Sequence, residues 1–516
     1  MYALSLLLTL AIFLLKPLVT YLLNPKGLNK YPPYSPLCAV TNLAWCLETW
    51  RGGIRSAKLW QMHKAHPVIR IGPNSLSYGH PDAYADIYGH GTKCVKDAFY
   101  QTEKTTHFNL GNVIDKAEHT RKRKMLAAAF SAGNVLGWEG KVARAVADLI
   151  DACDRHCTVP LEKGRIPDSK DLNFDFRAWS NFFTIDAIAD IALSEKLGLL
   201  AAGNDDVAAK TVDRRGVYTA SYRDCLHASK IAHTRIAFAD QWYYFNSRFI
   251  TRLIPSYRKL WKLTDGWNDI VHHYVSKRLK RYFAAEKLDD IFKYLLHGKN
   301  GQSLNLEWGE IAAETAVILD AGSATTAIAL NNVIYWLLRS PRCLVRLREE
   351  VDDALEAADV IAPYEKVKSL PYLRACLDES LRITPPFSYN LPRRTPSDGV
   401  YILGEFVPGD TTVSMSSYVA HRDEEAFPEA EKYIPERWLG EKRKDIQSSF
   451  VPFSAGSRGC IGRNISYLEQ TVLVASLVHR YEFALPGPDW EQDRVEVTNL
   501  LPGPLPLKIW RREQYL

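Results

Sequence analysis

The chain has 516 residues, 47% hydrophobic and 24% charged, and its 65 basic and 59 acidic residues leave a net charge of +6 at pH 7. With no long basic run, so mild an excess argues against a nucleic-acid binder and suits a neighbour such as anionic lipid or an acidic protein. Nine cysteines, an odd number without a C-x-x-C pair, argue against a disulfide scaffold or a structural zinc site and place the body in a reducing compartment.

The chain opens on MYALSLLLTLAIFLL, which carries no charge; Lys16 interrupts, and PLVTYLL continues to Leu23. As a helix, about 22 such residues reach roughly 33 Å, enough for a hydrocarbon core of about 30 Å, and Lys16 can snorkel. No small-x-small cleavage site follows, so residues 1–23 read as a retained single-pass anchor rather than a signal peptide. Lys26 and Lys30 follow without an acid, which sets that side, and the body behind it, in the cytosol at the endoplasmic reticulum membrane. The prolines of NPKGLNKYPPYSP make residues 24–39 a stiff hinge, and residues 40–516 form one catalytic domain, because no later stretch has linker composition.

The body reads as mainly α with a minor β-sheet region. Apolar spacings of three and four predict helices over 138–155, 176–197, 270–290, 306–340, 341–357 and 366–383. Residues 202–215 read as a loop, and YILGEFVPGDTTVSMSSYVAH as a small hairpin sheet. The longest helix carries DAGSATT at its middle, where Gly322, Ser323 and two threonines predict a bend. Such a notch is either a kink in a core helix or the polar spot that a buried reaction site needs.

Near the C-terminus the chain reads FVPFSAGSRGCIGRNISYLEQ, one cysteine among glycines with a helix opening behind it. A haem iron can take a cysteine thiolate as axial ligand. Such a ligand needs backbone N–H groups and a helix N-terminus to stay deprotonated, glycines for close approach of the loop to a flat porphyrin, and cations for the propionates. The helix after Cys460 meets the first need, Gly456, Gly459 and Gly462 the second, and Arg458 the third.

Phe453, Gly456, Arg458, Cys460 and Gly462 match F-x-x-G-x-R-x-C-x-G, and on these residues the chain resembles the cytochrome P450 family of haem-thiolate monooxygenases. ESLR supplies the family's E-x-x-R as Glu379 and Arg382, and YIPERWL supplies Arg437; the resemblance makes this trio architectural. It also makes His119 and Arg123, four apart on one helix, and Arg393 propionate partners, with Arg121 and Lys122 on a solvated face and His421 structural. The implied cofactor is haem b, with its iron on Cys460. KDAFYQ, DKAEHTRKRKM and AFS resemble most the fungal microsomal branch that includes benzoate hydroxylases and many secondary-metabolite oxidases.

Where the family's central helix has A/G-G-x-D/E-T-T/S, this chain has Ala321, Gly322, Ser323, Ala324, Thr325 and Thr326. Thr325 is the residue expected to order water for proton delivery; the acid before it is absent. Asp320, one turn earlier on the face of Ala324, is the expected substitute. Substrate-facing residues are expected in 99–115, in 316–326 and in the turn bearing Phe387, Tyr389 and Asn390, which suit a small, mainly apolar, aromatic substrate. The resemblance implies electrons from an NADPH–cytochrome P450 reductase, with cytochrome b5 as a second candidate donor, drawn to positive charge at 440–445 and Arg463. The competing readings are an oxidase or cyclase that inserts no oxygen, and a non-enzymatic haem sensor.

Overall fold

The computed structural model describes residues 15–104, 106–211, 216–239, 242–287, 289–298, 300–441 and 446–515. Its longer helices are α1 (Asn42–Arg51), α2 (Lys116–Ala127), α3 (Ala132–His156), α4 (Phe176–Leu193), α5 (Tyr222–Ala237), α6 (Pro255–Phe283), α7 (Trp308–Arg339), α8 (Pro341–Ala354), α9 (Pro371–Ile383) and α10 (Arg463–Arg480). Helix α7 is the axis of the molecule, packing against α4, α6, α9 and α10. Its length and apolar composition would suffice to cross a membrane, but 72% of its apolar window is buried in the fold, so it is a core helix.

The principal sheet has strands β1 (Val68–Gly72), β2 (Ser75–Tyr78), β3 (Val95–Lys96), β4 (Arg393–Arg394) and β5 (Thr412–Met415), ordered β1-β2-β5-β4-β3. β5 runs parallel to β2 and antiparallel to β4, and β3 is antiparallel to β4 with Lys96 opposite Arg393.

Helix α3 starts at Ala132, earlier than the apolar period predicts, because Ser131 caps it by accepting from Asn134 N, while Gly133, Gly137 and Gly140 blur the pattern. Residues 202–215 are not simply a loop: Asp206–Lys210 pairs antiparallel with Val217–Ser221. The predicted hairpin sheet is split. Val400–Ile402 pairs with Glu405–Val407 across a turn with positive φ at Leu403 and Gly404, whereas β5 leaves for the principal sheet.

Residues 1–14, most of the expected anchor, lie outside the described residues. Residues 15–23 are helical, and Leu15, Leu18, Val19, Leu22 and Leu23 are exposed. Segment 24–39 differs from a free hinge. Leu28, Tyr31, Tyr34 and Cys38 are buried, Lys26 Nζ donates to Asn74 Oδ1 at 2.9 Å and to the Gly409 and Asp410 carbonyls at 2.8 Å, and Tyr34 N donates to Arg70 O at 2.9 Å. The hinge is part of the folded body, because Tyr31 joins the core cluster of Val68, Leu76 and Tyr78, and Tyr34 that of Ile69 and Ile71.

Candidate active site

The cysteine loop is built from short backbone turns. Cys460 N donates to Phe453 O at 2.8 Å, Gly459 N to Gly456 O at 3.1 Å, and Ser454 N to Val451 O at 3.1 Å. Gly456 has φ +65°, and a Cβ there would stand 2.2 Å from the Tyr88 carbonyl oxygen. That glycine answers to packing against the turn after Tyr88 rather than to a cofactor. At Gly462 a Cβ would project to 4.0 Å from Cys460 Sγ, so its absence keeps the wall beside the sulfur open.

Of the nine cysteines, Cys460 alone is exposed, and what it faces is internal. It lines a cavity of about 350 Å³ with Phe130, Ile188, Val317, Ala321 and Leu381 among the apolar walls. Burial pushes the thiol up; the Gly462 N–H, the Arg123 guanidinium and Arg463 pull it back toward thiolate.

Along the cavity stand Lys96, His119, Arg123, Arg393 and Arg458. Arg123 donates to Gly459 O at 2.7 Å, Arg458 to the Val113 and Ile114 carbonyls at 3.0 Å, and Arg393 to Tyr100 Oη at 3.0 Å. Lys96 donates to the Leu110 carbonyl at 3.4 Å and to that of Gly111. None of these basic side chains has a carboxylate at salt-bridge distance among the described residues. Like charges opposite one another on a ladder, as Lys96 and Arg393 are, destabilise a sheet. Burial and the neighbouring positive charges act together on these groups. Burial, Arg458 and Arg393 hold Lys96 well below the lysine range; burial, Arg458 and Lys96 bring His119 down to about 3; burial and Arg393 bring Arg458 down to about 10. Two carboxylates entering the cavity would offset the like-charge part of these shifts, though not the part due to burial. A cavity with a thiol on its wall, glycine-lined where the sulfur projects and ringed by unmatched cations, fits a haem with its two propionates.

Thr325 and Thr326 line the same cavity, and Thr325 Oγ1 donates to Ala321 O at 2.8 Å. Asp320 corrects the expectation: its carboxylate pairs with Lys230 of α5 at 2.5 Å and is not on the cavity wall. On a helix, adjacent residues point about 100° apart, so Asp320 shares the face of Ala324 but not that of Thr325. Phe387 and Tyr389 line the cavity, whereas Asn390 does not; its Nδ2 donates to Ser77 Oγ at 3.2 Å and Ser414 Oγ at 3.1 Å, within the sheet. Lys122, expected on a solvated face, is 1% exposed and pairs with Glu310 at 2.5 Å and Glu314 at 2.9 Å. Of the basic run 440–445, residues 442–445 lie outside the described residues.

The architectural trio is assembled behind the loop. Arg382 Nε and Nη2 meet the two Glu379 oxygens at 2.9 Å, and Arg437 Nε meets Glu379 Oε1 at 3.1 Å. Arg382 also donates to the carbonyls of His421, Ala430 and Lys432. His421 Nε2 accepts from Val451 N at 2.9 Å, the residue where the cysteine loop starts. Asn464, on the helix behind the cysteine, donates inward to Phe130 O at 3.4 Å. Tyr100 lies within the stretch 99–115 expected to face substrate, whereas sequence reasoning missed Lys96 and Glu469, both on the cavity wall; Lys96 lay within KDAFYQ, but only strand pairing brings it to Arg393.

Fold and site together define a haem-thiolate protein, mainly helical, with an apolar pocket lined by the sulfur-bearing loop. The chain belongs to the cytochrome P450 family, whose model (Cytochrome P450) matches residues 32–509. It is 30% identical over 470 residues to the Cytochrome P450 monooxygenase efuB of Hormonema carpetanum, covering 89% of this chain and 87% of that one. It is 29% identical over 463 residues to the Benzoate 4-monooxygenase bphA of Aspergillus niger, covering 88% and 87%. A solved cytochrome P450 (CYP102L1) superposes with a TM-score of 0.68 at 20% identity, over 89% of this chain and 94% of the other, which shows the shared fold. The chain is a cytochrome P450 monooxygenase, and its cofactor is haem iron held by a cysteine thiolate.

Proposed function

We propose that this enzyme oxidises a small, mainly apolar, aromatic natural-product substrate in secondary metabolism, with Cys460 as the iron ligand. The observation that carries the assignment of the ligand is that Cys460 alone among nine cysteines lines the apolar cavity. When bound, haem supplies the activation of dioxygen with two electrons brought by a separate donor. The chain's own residues do the rest. Arg123, His119, Arg393 and Arg458, with Lys96 beside them, would hold the two propionates. Val317, Ala321 and Phe387 exclude bulk water from the face where substrate sits. Thr325 orders water there; its hydroxyl is bonded to Ala321 O in this structure and is free to rotate toward the cavity.

The benzoate 4-monooxygenase relative supports an aromatic substrate, and Phe387, Tyr389 and Phe130 on the wall suit aromatic stacking. Electrons come from an NADPH-dependent flavoprotein reductase. The exposed leucines of helix 15–23 support a single-pass anchor in the endoplasmic reticulum membrane; a form lacking residues 1–23 should leave the membrane fraction.

The reduced, CO-bound spectrum of the purified chain tests the ligand. A red-shifted Soret band is expected, and Cys460→Ser should abolish it while the folded helix content stays; an unchanged band would sink the assignment. Ala324 favours a second reading, oxidation without oxygen insertion, because no acid stands beside Thr325 on its helix. Product mass from labelled dioxygen separates the two.

A further inference from the structure

The first turn of a helix is already electropositive, and an arginine there adds to the charge. Arg177 is the second residue of α4 and Arg223 the second of α5, and the fold brings these two helix starts together. The turn at 203–205 joins them. A Cβ at Gly203 would stand 3.6 Å from Trp179 Cη2 on α4, while Asp205 Oδ2 accepts from Ser221 Oγ and from Arg223 N at 2.7 Å at the start of α5. His227 follows Arg223 by four residues, one turn along the same face of α5.

Arg177 is 5% exposed, yet its Nη1 has no hydrogen-bond partner. Neither Arg177 nor Arg223 has a carboxylate at salt-bridge distance among the described residues. The nearest acids are used on backbone groups: Asp175 Oδ1 accepts from Arg177 N at 3.1 Å and from Leu505 N at 2.8 Å, and Asp205 caps α5. Asp224, also in the first turn of α5, is exposed. Burial, and after it Arg223, bring Arg177 down to about 10, with Asp175 acting the other way. Burial, Arg177 and Arg223 bring His227 down to about 3, so it is neutral and offers one N–H. A guanidinium cannot shed its charge at neutral pH as a buried lysine or histidine can. Sealed from water without an anion, it is costly to the fold. Two such forks side by side match the oxygens of a doubly charged oxyanion. None of the three residues lines the haem cavity.

We propose that Arg177, Arg223 and His227 form a binding site for a free, doubly charged oxyanion of the phosphate or sulfate class, held between the first turns of α4 and α5. Arg177 supplies the buried end of the site, and the half-buried Arg223 and His227 supply the side nearer solvent. The bound ion ties α4 to α5, so it stabilises the folded state in proportion to its occupancy.

The test uses the full-length holoenzyme in a zwitterionic buffer free of oxyanions, in which haem already occupies the cations of the main cavity. Sodium phosphate should raise the thermal midpoint by about 2–4 °C and then saturate. Sodium sulfate should do the same, and sodium chloride at equal ionic strength should give no saturating rise. Phosphate should also slow amide hydrogen exchange in the first turns of α4 and α5. Arg223→Gln should raise the phosphate concentration at half-effect about tenfold or more, the loss expected for a charge-assisted hydrogen bond. Arg177→Met should abolish the phosphate response and, without phosphate, unfold no lower than wild type, because an unpaired buried charge is gone; an arginine with a purely structural role would lose stability in both buffers. Should Arg177→Met not fold, Arg223→Gln and the exchange measurement decide. The CO-bound spectrum of both variants should stay that of the wild type, which keeps this site distinct from the assignment of Cys460. An equal rise with chloride, a phosphate response unchanged in Arg223→Gln, or unchanged exchange at the two helix starts overturns the proposal.

Discussion

Buried polar residues in this protein are of two kinds, and their partners tell them apart. Arg382 is fully buried and uses its guanidinium on Glu379 and three carbonyls, which is satisfied structure. Arg123, Arg393 and Arg458, with Lys96 and a neutral His119 beside them, stand on the cavity wall with no carboxylate at salt-bridge distance among the described residues, which marks them as parts of a binding site. His421 belongs to the first kind. Burial, then Arg382 and Arg422, bring it from an ordinary 6.5 down to about 3, so it is neutral and can accept from Val451 N. Its folded value lies below its unfolded one, so its contribution to stability is complete above about 6.5 and is lost as the pH falls toward about 3. His421→Gln should flatten that acid-side decline in thermal midpoint against pH; a decline of unchanged slope would mean that other groups set it.

At the scale of elements, the DAGSATT notch has a more specific cause than a bend. Helix α7 is assigned without interruption from Trp308 to Arg339, and a Cβ at Gly322 would stand 2.6 Å from Ile188 Cγ1 on α4. Gly322 is there because α4 and α7 cross at closest approach, which brings Ile188 onto the cavity wall. Thr184 Oγ1 of α4 donates to Ser323 O at 2.9 Å at the same crossing. Gly322→Ala should cost about 1–3 kcal/mol by overpacking, and Ile188→Ala should recover part of it. Additive losses in the double-mutant cycle of thermal or urea unfolding would count against this contact. The elements misread from the sequence share a physical reason. The strands at 206–210 and 217–221 are short and partly exposed, and β5 leaves its hairpin to pair with β2, 337 residues away along the chain by register. Local periodicity carries no information about such partners.

At the scale of the molecule, the body begins earlier than composition implies. Segment 24–39 has a linker's prolines, yet it buries Leu28, Tyr31, Tyr34 and Cys38 against the sheet. Burying side chains of this size stabilises by about 1.5–3 kcal/mol each. A chain starting at residue 40 should therefore load less haem and unfold several degrees lower than one starting at residue 24, whereas removing residues 1–23 should leave the thermal midpoint of the body unchanged. Equal midpoints for the two shorter forms would show the segment to be a true hinge.

By itself the sequence determined the chemistry class and the parts that work at short range. The cysteine loop, the helix behind it, Glu379 with Arg382, and His119 with Arg123 are each defined within about ten residues, where helix and turn geometry follow from spacing alone. Only the tertiary structure decided which side chains share the cavity. It turned Asp320 toward Lys230 and Asn390 into the sheet, brought Lys96 beside Arg393, and set Glu469 against Thr326. Those meetings depend on how α7, α10 and the principal sheet are oriented in three dimensions, and a rotation of one residue on a helix changes the face by about 100°.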